Sequence, residues 1–252
     1  MQRSSDITGC QIHAADGAIG TIEDLLFDDR QHVLRWVVVD TGTWLPGRQV
    51  LLPPSAFKTA DKSAREYHTD LSRDQIKEAP GVETDKPVSH QLEADIFRYY
   101  SLSPYWYGAV GAPLPIGLNA AAPPVDVDET APPKDRMEGD PNLRSVNEVT
   151  GYYVEATDGS IGHVEDFMVD EDAWAIRYFL VDTKNWWPGK MVLVSPDWLF
   201  DTSWTDQKVF VDVTRDKVKE APEFKTSTTI DRDYEEQIYA HYGFHPYWSG
   251  WA

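Results

Sequence analysis

The chain has 252 residues, enough for two modest domains that each bury a core. Its 23 basic and 42 acidic residues give a net charge of −19, which disfavours binding to nucleic acids and to anionic lipid headgroups. A single cysteine, Cys10, excludes an intrachain disulfide and a cysteine-based zinc site.

The amino terminus lacks the apolar segment of a secretory signal. The apolar runs are strand-sized, far below the roughly 20 residues that a membrane helix requires. We therefore expect a cytoplasmic protein without membrane insertion.

An internal duplication dominates the sequence. Residues 9–108 align without gaps with residues 151–250, 142 positions later, and 34 of the 100 pairs are identical. The most similar stretches begin at Gly17 and Gly159, and both contain D-G-x-I-G, E-D-x-x-x-D, W-x-P-G and V-L motifs in the same order. A period of 142 residues is too long for a solenoid, so it indicates two copies of one domain.

Each copy is predicted to begin with five short strands. In the first copy they cover 10–14, 19–27, 33–39, a segment ending at Pro53, and an alternating segment through Tyr67, Thr69 and Leu71. In the second copy, Val209, Val211 and Val213 alternate in the same way and leave Phe210 on the outer face. The first two strands are joined by a turn at Asp16-Gly17 or Asp158-Gly159.

Two helices are predicted to follow the strands. The first is short, is capped by Ser72 or Thr214, and ends before Pro80 or Pro222. The second has one apolar stripe, formed in the two copies by Leu92, Ile96 and Tyr100 and by Tyr234, Ile238 and Tyr242.

These boundaries predict two domains, 1–108 and 144–252. Residues 109–143, rich in proline, alanine and acids, are predicted to form an extended linker because such a composition buries little apolar surface. Whether the two domains pack as a pseudo-dimer within the chain is left open.

The combined motifs of residues 17–54 and 159–196 resemble the PRC-barrel family, which includes the cytoplasmic domain of the photosynthetic reaction-centre H subunit and the ribosome maturation factor RimM. The resemblance implies a mainly β protein with two small, strongly bent barrels, used as scaffolds or adaptors. The sequence is also similar to bacterial stand-alone members of the family, and this similarity suggests a stress-related role. The H subunit's membrane helix has no counterpart in this sequence, and the acidic charge is unfavourable for RNA.

Polar residues shared by both copies are the obvious candidates for chemistry, and strand, turn and cap roles explain their spacing better than a catalytic pair. Their first-copy members are Glu23, Asp24, Asp28, Arg35, Asp40, Thr41, Arg73, Asp74, Lys77 and Glu78. His241 and His245 have a helical metal spacing, but their first-copy partners are Tyr99 and Ser103, and the other five histidines are scattered in the sequence. We predict no catalytic residue, metal or cofactor.

Large aromatic residues in loops and tails are the candidate interaction surface, because such side chains bury much area at low entropic cost. They are Trp44, Trp186, Trp187, Tyr105, Trp106, Tyr247 and Trp248. The alternative, which we favour for the tails, is that they fold back on their own domain and that Trp106 and Trp248 are largely buried.

The sequence as a whole predicts a non-enzymatic interaction or scaffold protein with an unidentified protein partner. The alternative is a protein that binds a small molecule or an ion between the two barrels.

Overall fold

The computed structural model describes residues 1–80, 88, 90–100, 140, 142–183 and 189–249. Within these residues the chain is mainly β, and the two halves carry the same elements in the same order. The predicted mainly β fold and the duplication of the two halves are therefore confirmed. The proposed linker lies almost entirely outside the described residues, and the first copy's aromatic tail lies wholly outside them.

Among its described residues, the first half contains seven strands and three helices. The strands are β1 (Gln2–Arg3), β2 (Gln11–Ala14), β3 (Gly17–Asp28), β4 (Leu34–Asp40), β5 (Gln49–Leu52), β6 (Phe57–Asp61) and β7 (Glu66–Thr69). The helices are α1 (Ser4–Ile7), α2 (Arg73–Glu78) and α3 (His90–Tyr99), with a 3-10 turn at Pro54–Ala56.

The second half repeats this series. Its strands are β8 (Leu143–Ser145), β9 (Tyr153–Ala156), β10 (Gly159–Asp170), β11 (Ala175–Asp182), β12 (Met191–Val194), β13 (Leu199–Ser203) and β14 (Lys208–Val211). Its helices are α4 (Val146–Val149), α5 (Arg215–Glu220) and α6 (Arg232–Tyr242), with a 3-10 turn at Pro196–Trp198. The β1–α1 and β8–α4 segments and strands β6 and β13 were not among the predicted elements.

Each half contributes six consecutive neighbours to a seven-stranded sheet. The strand orders are β5-β4-β3-β2-β7-β6 and β12-β11-β10-β9-β14-β13. Strand β2 pairs parallel with β7, and β9 pairs parallel with β14, while the other described pairings are antiparallel. The alternation predicted for the fifth strand is confirmed, since Tyr67, Thr69, Val209 and Val211 are buried.

The seventh strand of each sheet comes from the other half. Strand β1 pairs with β10, and β8 pairs with β3. The amino-terminal segment of each copy is therefore exchanged, and it completes the sheet built by the strands of the other copy.

The second glycine of the D-G-x-I-G motif allows two strands to approach each other closely. A Cβ atom on Gly20 would lie 1.9 Å from the carbonyl oxygen of Asp40, and one on Gly162 would lie 2.0 Å from that of Asp182. Both glycines also have positive φ, +154° and +143°, which L side chains rarely adopt. The motif therefore permits the close approach of β3 to β4 and of β10 to β11.

By their contacts the residues form two compact units whose limits do not follow the duplication. One contains Met1–Cys10, Ile22–Val37 and Arg144–Ala252, and the other contains Gln11–Thr21 and Val38–Leu143. The core of the first is built around Phe27, Phe167 and Phe179, with neighbouring ring centroids 6.0 and 5.0 Å apart. The core of the second includes Ile12, Ile19, Leu52, Tyr67, Ile76 and Ile96.

The predicted helix ends are confirmed. Ser72 and Gln75 form a capping box at α2, and the side chain of Thr214 accepts a hydrogen bond from the Lys217 amide at α5. Helix α6 ends at Gly243, which is left-handed at φ 82°. Among the described residues, no helix has the length and apolar character that crossing a bilayer requires.

Candidate interaction surface

Three of the seven predicted surface aromatics lie in the described part of the chain. They are Trp44, Tyr247 and Trp248, and each is half-buried. The other four, Tyr105, Trp106, Trp186 and Trp187, fall outside it, so their contacts stay predictions.

The tail after α6 folds back on that helix. The ring centroid of Trp248 lies 5.3 Å from that of Tyr239 and 4.8 Å from that of Tyr247. The Arg232 guanidinium stacks over the Trp248 ring at 3.8 Å, and that of Arg177 over Tyr247 at 4.2 Å. These contacts hold the tail in place on α6 and leave Trp248 half-buried.

Glu235 on α6 stabilises this cluster through hydrogen bonds. Its carboxylate is buried and accepts hydrogen bonds from the hydroxyls of Tyr178, at 2.9 Å, and Tyr247, at 3.1 Å. Burial, together with the nearby negative charge of Glu235, raises the pKa of both phenols. The neutral tyrosines therefore remain hydrogen-bond donors to the carboxylate. The main role of the cluster is to pack the tail against α6.

Trp44 belongs to the other compact unit. The Arg73 guanidinium stacks over its ring at 4.7 Å. The backbone amide of Arg73 in turn donates a hydrogen bond to Asp16 at 2.8 Å. Trp44 therefore covers a turn-to-helix junction.

A more exposed aromatic group lies on the outer face of the second copy's sheet. Tyr153 on β9 is 53% exposed, and Phe200 on β13 is 61% exposed. The Phe200 ring lies 6.1 Å from that of Phe210 on β14. Tyr153 is the register partner of Lys208, which lies two residues before Phe210, so Tyr153 and Phe210 point to the same face of the sheet. The neighbouring Phe200 ring lies on that face with them. We call Tyr153, Phe200 and Phe210 the outer aromatic face.

The corresponding face of the first copy is polar. Gln11, Lys58 and His68 occupy the three equivalent positions, 142 residues earlier. His68 stacks on His13 with ring centroids 5.3 Å apart, and the Glu66 carboxylate lies 3.5 and 3.7 Å from the Nε2 atoms of the two rings. Histidines that are distant in the sequence are thus neighbours in the sheet.

Sequence reasoning found only part of the outer aromatic face. The alternation of β14 placed Phe210 outside, but β13 was not predicted, so Phe200 was missed. A register shift between Leu199 and Asp201 interrupts the β13–β14 ladder at Phe200. Strand irregularities of this kind have no simple pattern in a single sequence.

Several of the polar residues shared by both copies make contacts that stabilise the fold. Arg35 pairs with Asp28 at 3.1 Å, and its second-copy equivalent Arg177 pairs with Asp170 at 3.0 Å. The hydroxyl of Thr41 donates to the carbonyl of Arg48, at 2.6 Å, across the W-x-P-G turn. Each of these contacts matches the structural interpretation of the spacing.

The two closely spaced histidines near the carboxyl terminus do not share a ligand-binding position in the structure. His241 Nε2 lies 2.7 Å from the Lys217 carbonyl oxygen, and His245 is exposed beyond the end of α6. The first histidine therefore joins α6 to α5.

Comparison with known proteins agrees with the duplicated fold. The family model described as PRC-barrel domain matches residues 1–75 and 141–218. An uncharacterized protein of Deinococcus radiodurans is 28% identical over 74 residues, which cover 29% of this chain. The match spans 26% of that relative's length.

Proposed function

Because this chain belongs to the PRC-barrel family, with one match in each half, we propose that it is a non-enzymatic interaction or scaffold protein. The observation that carries the proposal is the outer aromatic face of the second copy. Duplication provides the comparison, because the same backbone positions hold Gln11, Lys58 and His68 in the first copy.

Exposure of the Tyr153 and Phe200 rings is costly unless a partner covers them. A fully buried aromatic side chain removes about 150–250 Å² from water, and apolar burial contributes about 25 cal/mol per Å². Clustered exposed apolar groups with a polar rim are typical of protein-binding surfaces. The first copy's polar face shows that the fold itself does not require aromatic residues there.

Charge indicates the chemistry of the partner. The net charge of −19 favours a protein with basic residues around an apolar patch and disfavours nucleic acid. Near the rings, Asp201 is the register partner of Phe210 and is exposed. Basic partner residues at the rim would therefore accelerate association, while the three rings would supply most of the affinity.

The absence of an enzymatic role is part of the proposal. It is supported by the shared Arg35–Asp28 and Arg177–Asp170 pairs, whose contacts join neighbouring strands. A cytoplasmic location is likewise proposed, on the basis of the single free cysteine, Cys10, which is buried.

The test exchanges the aromatic face for the residues that the first copy already carries. The variant Phe200→Lys/Phe210→His and the wild type are used as baits in cell extract of the source organism, and captured proteins are quantified. The control, Lys58→Phe/His68→Phe, alters the equivalent positions of the first copy. Circular dichroism establishes that all three baits are folded.

The proposal predicts a partner that is lost at least tenfold in the first variant and kept in the control. Its purified form must bind the wild type directly, more weakly as salt rises. Equal capture by all baits would contradict the proposal. A shift from dimer to monomer in the first variant would also contradict it, by identifying a second copy of this chain as the occupant.

A further inference from the structure

Three potential metal ligands converge on neighbouring strands of the second copy. His163 and Glu165 are on β10, and Asp182 ends β11. One ligand atom from each side chain can be chosen so that all three lie within 4.8 Å of one another. Among the described residues, this is the group of histidine, cysteine and acidic side chains that meets this distance.

The strand register explains why these residues meet. His163 and Asp182 are direct partners in the antiparallel β10–β11 ladder. Glu165 is two residues after His163, so its side chain returns to the same face. A register shift between Val164 and Asp166 places Glu165 at a bulge, and bulges re-aim side chains in this way. The convergence is therefore fixed by the backbone.

The spacing of the ligand atoms is close to that of the ligands of a single ion. His163 Nε2 lies 3.4 Å from Glu165 Oε2, which exceeds a normal hydrogen-bond length of about 2.7–3.2 Å. Metal–nitrogen and metal–oxygen bonds of about 2.0–2.2 Å separate neighbouring ligand atoms by roughly 3–3.5 Å at a four-coordinate ion. The separation of 3.4 Å between His163 Nε2 and Glu165 Oε2 falls in that range.

The site is anchored on one side and open on the other. Asp182 is only 5% exposed, whereas the side chains of His163 and Glu165 are 27% and 48% exposed. An ion could therefore enter from solvent, and water could complete its coordination. Three protein ligands with an open position are typical of exchangeable metal sites.

From this geometry we propose that His163, Glu165 and Asp182 bind a divalent first-row transition-metal ion. The imidazole favours Zn²⁺ and its neighbours in the series over Mg²⁺ and Ca²⁺, which prefer oxygen ligands. The equivalent residues of the first copy are Thr21, Glu23 and Asp40, which provide no imidazole. The site is therefore a property of the second copy, and it does not depend on the outer aromatic face.

The duplication supplies matched variants. His163→Thr introduces the first copy's own residue, and Glu165→Gln removes one carboxylate. Glu23→Gln removes the same charge from the equivalent position in the first copy, and His68→Phe replaces an unrelated histidine by its second-copy counterpart. Untagged protein, shown to be folded by circular dichroism, is titrated with Zn²⁺ by isothermal calorimetry.

We expect one saturable Zn²⁺ site in the wild type. Its affinity should fall at least about tenfold in His163→Thr and in Glu165→Gln, since even outer-shell changes cost about 10–100-fold at metal sites. Glu23→Gln and His68→Phe should bind as the wild type does. In a second measurement, Mn²⁺ should broaden the amide NMR signals around His163 and Asp182 before those around Thr21 and Asp40.

Several results would overturn the proposal. They are no saturable binding up to millimolar Zn²⁺, unchanged affinity in His163→Thr, or an equal loss in the two control variants, which would indicate diffuse attraction to an acidic surface. Loss of binding in His68→Phe alone would assign the ion to His13, Glu66 and His68 instead.

Discussion

The hydroxyl of Ser4, at the start of the first copy, donates a hydrogen bond of 2.5 Å to the buried carboxylate of Asp166 in the second copy. Ser5 adds its hydroxyl at 2.5 Å and its amide at 3.2 Å. The exchange is reciprocal, because Asp24 accepts from the Ser145 hydroxyl at 2.5 Å and from the Asn147 amide at 3.2 Å. The aspartate of the E-D motif, in β3 and in β10, thus holds the exchanged segment of the other copy.

The Ser4→Ala variant should lose a buried hydrogen bond to a charged acceptor. We expect the free energy of unfolding to fall by about 1.5–3 kcal/mol, the range for such bonds. Urea unfolding measures the change. Ser63→Ala is the control, because its 2.6 Å bond to Asp61 is exposed and should contribute less than about 0.5 kcal/mol. Equal effects of the two variants would show that the exchanged segment contributes little to stability.

Asp24 should make the free energy of unfolding decrease as pH rises from acid to neutral. Burial raises the pKa of its carboxyl above 3.8, although the Ser145 hydrogen bond partly opposes the shift. The folded state therefore holds this proton to higher pH than the unfolded state, and the contribution to stability declines as pH rises through the window above 3.8. Relative to Asp24→Asn, the wild type should thus lose stability between low and neutral pH.

Urea unfolding of the wild type and Asp24→Asn at several pH values measures that difference. Asp61→Asn provides a control of opposite sign, because the hydrogen bond from Ser63 lowers the pKa of Asp61. A constant difference between the wild type and Asp24→Asn across the whole range would show that its pKa is the same in both states.

Tyr239 should cause part of the alkaline unfolding. Burial raises its pKa to about 12 in the folded protein, from 10.0. Since the unfolded state ionises first, each pH unit between these values removes about 1.4 kcal/mol from the free energy of unfolding. Tyr239→Phe should reduce this slope. Thermal melts at pH 8 to 11 test it, and parallel curves for the two proteins would contradict the prediction.

Gly20→Ala should be strongly destabilising. The added methyl group would meet the Asp40 carbonyl oxygen at 1.9 Å, so β3 and β4 would have to separate, at a cost of more than about 3 kcal/mol. Gly42→Ala is the matched control, because Gly42 has positive φ but no atom within 4 Å of the added Cβ. It should cost only about 1 kcal/mol in strain. Similar melting temperatures for the two variants would disprove the close-approach explanation.

Features with a local cause were predictable from the sequence. The capping box at Ser72, the left-handed end of α6 at Gly243 and the alternation of β14 each depend on residues within one turn or one strand. The family and the duplication were also readable, because 34 identities at a constant offset preserve motifs that fix tight turns and close strand approaches. Propensity, capping and side-chain period act over short distances and are written directly in the chain.

The candidate sites were decided by the tertiary structure. The pairing of Ser4 with Asp166, the stacking of His13 on His68, and the convergence of His163 with Asp182 depend on which strands become neighbours and in what register. Phe200 was missed because its strand has an irregular ladder. Register is fixed by the burial of the two sheet faces and by bulges. A shift of one residue in the strand register would separate these side chains, although the sequence would be unchanged.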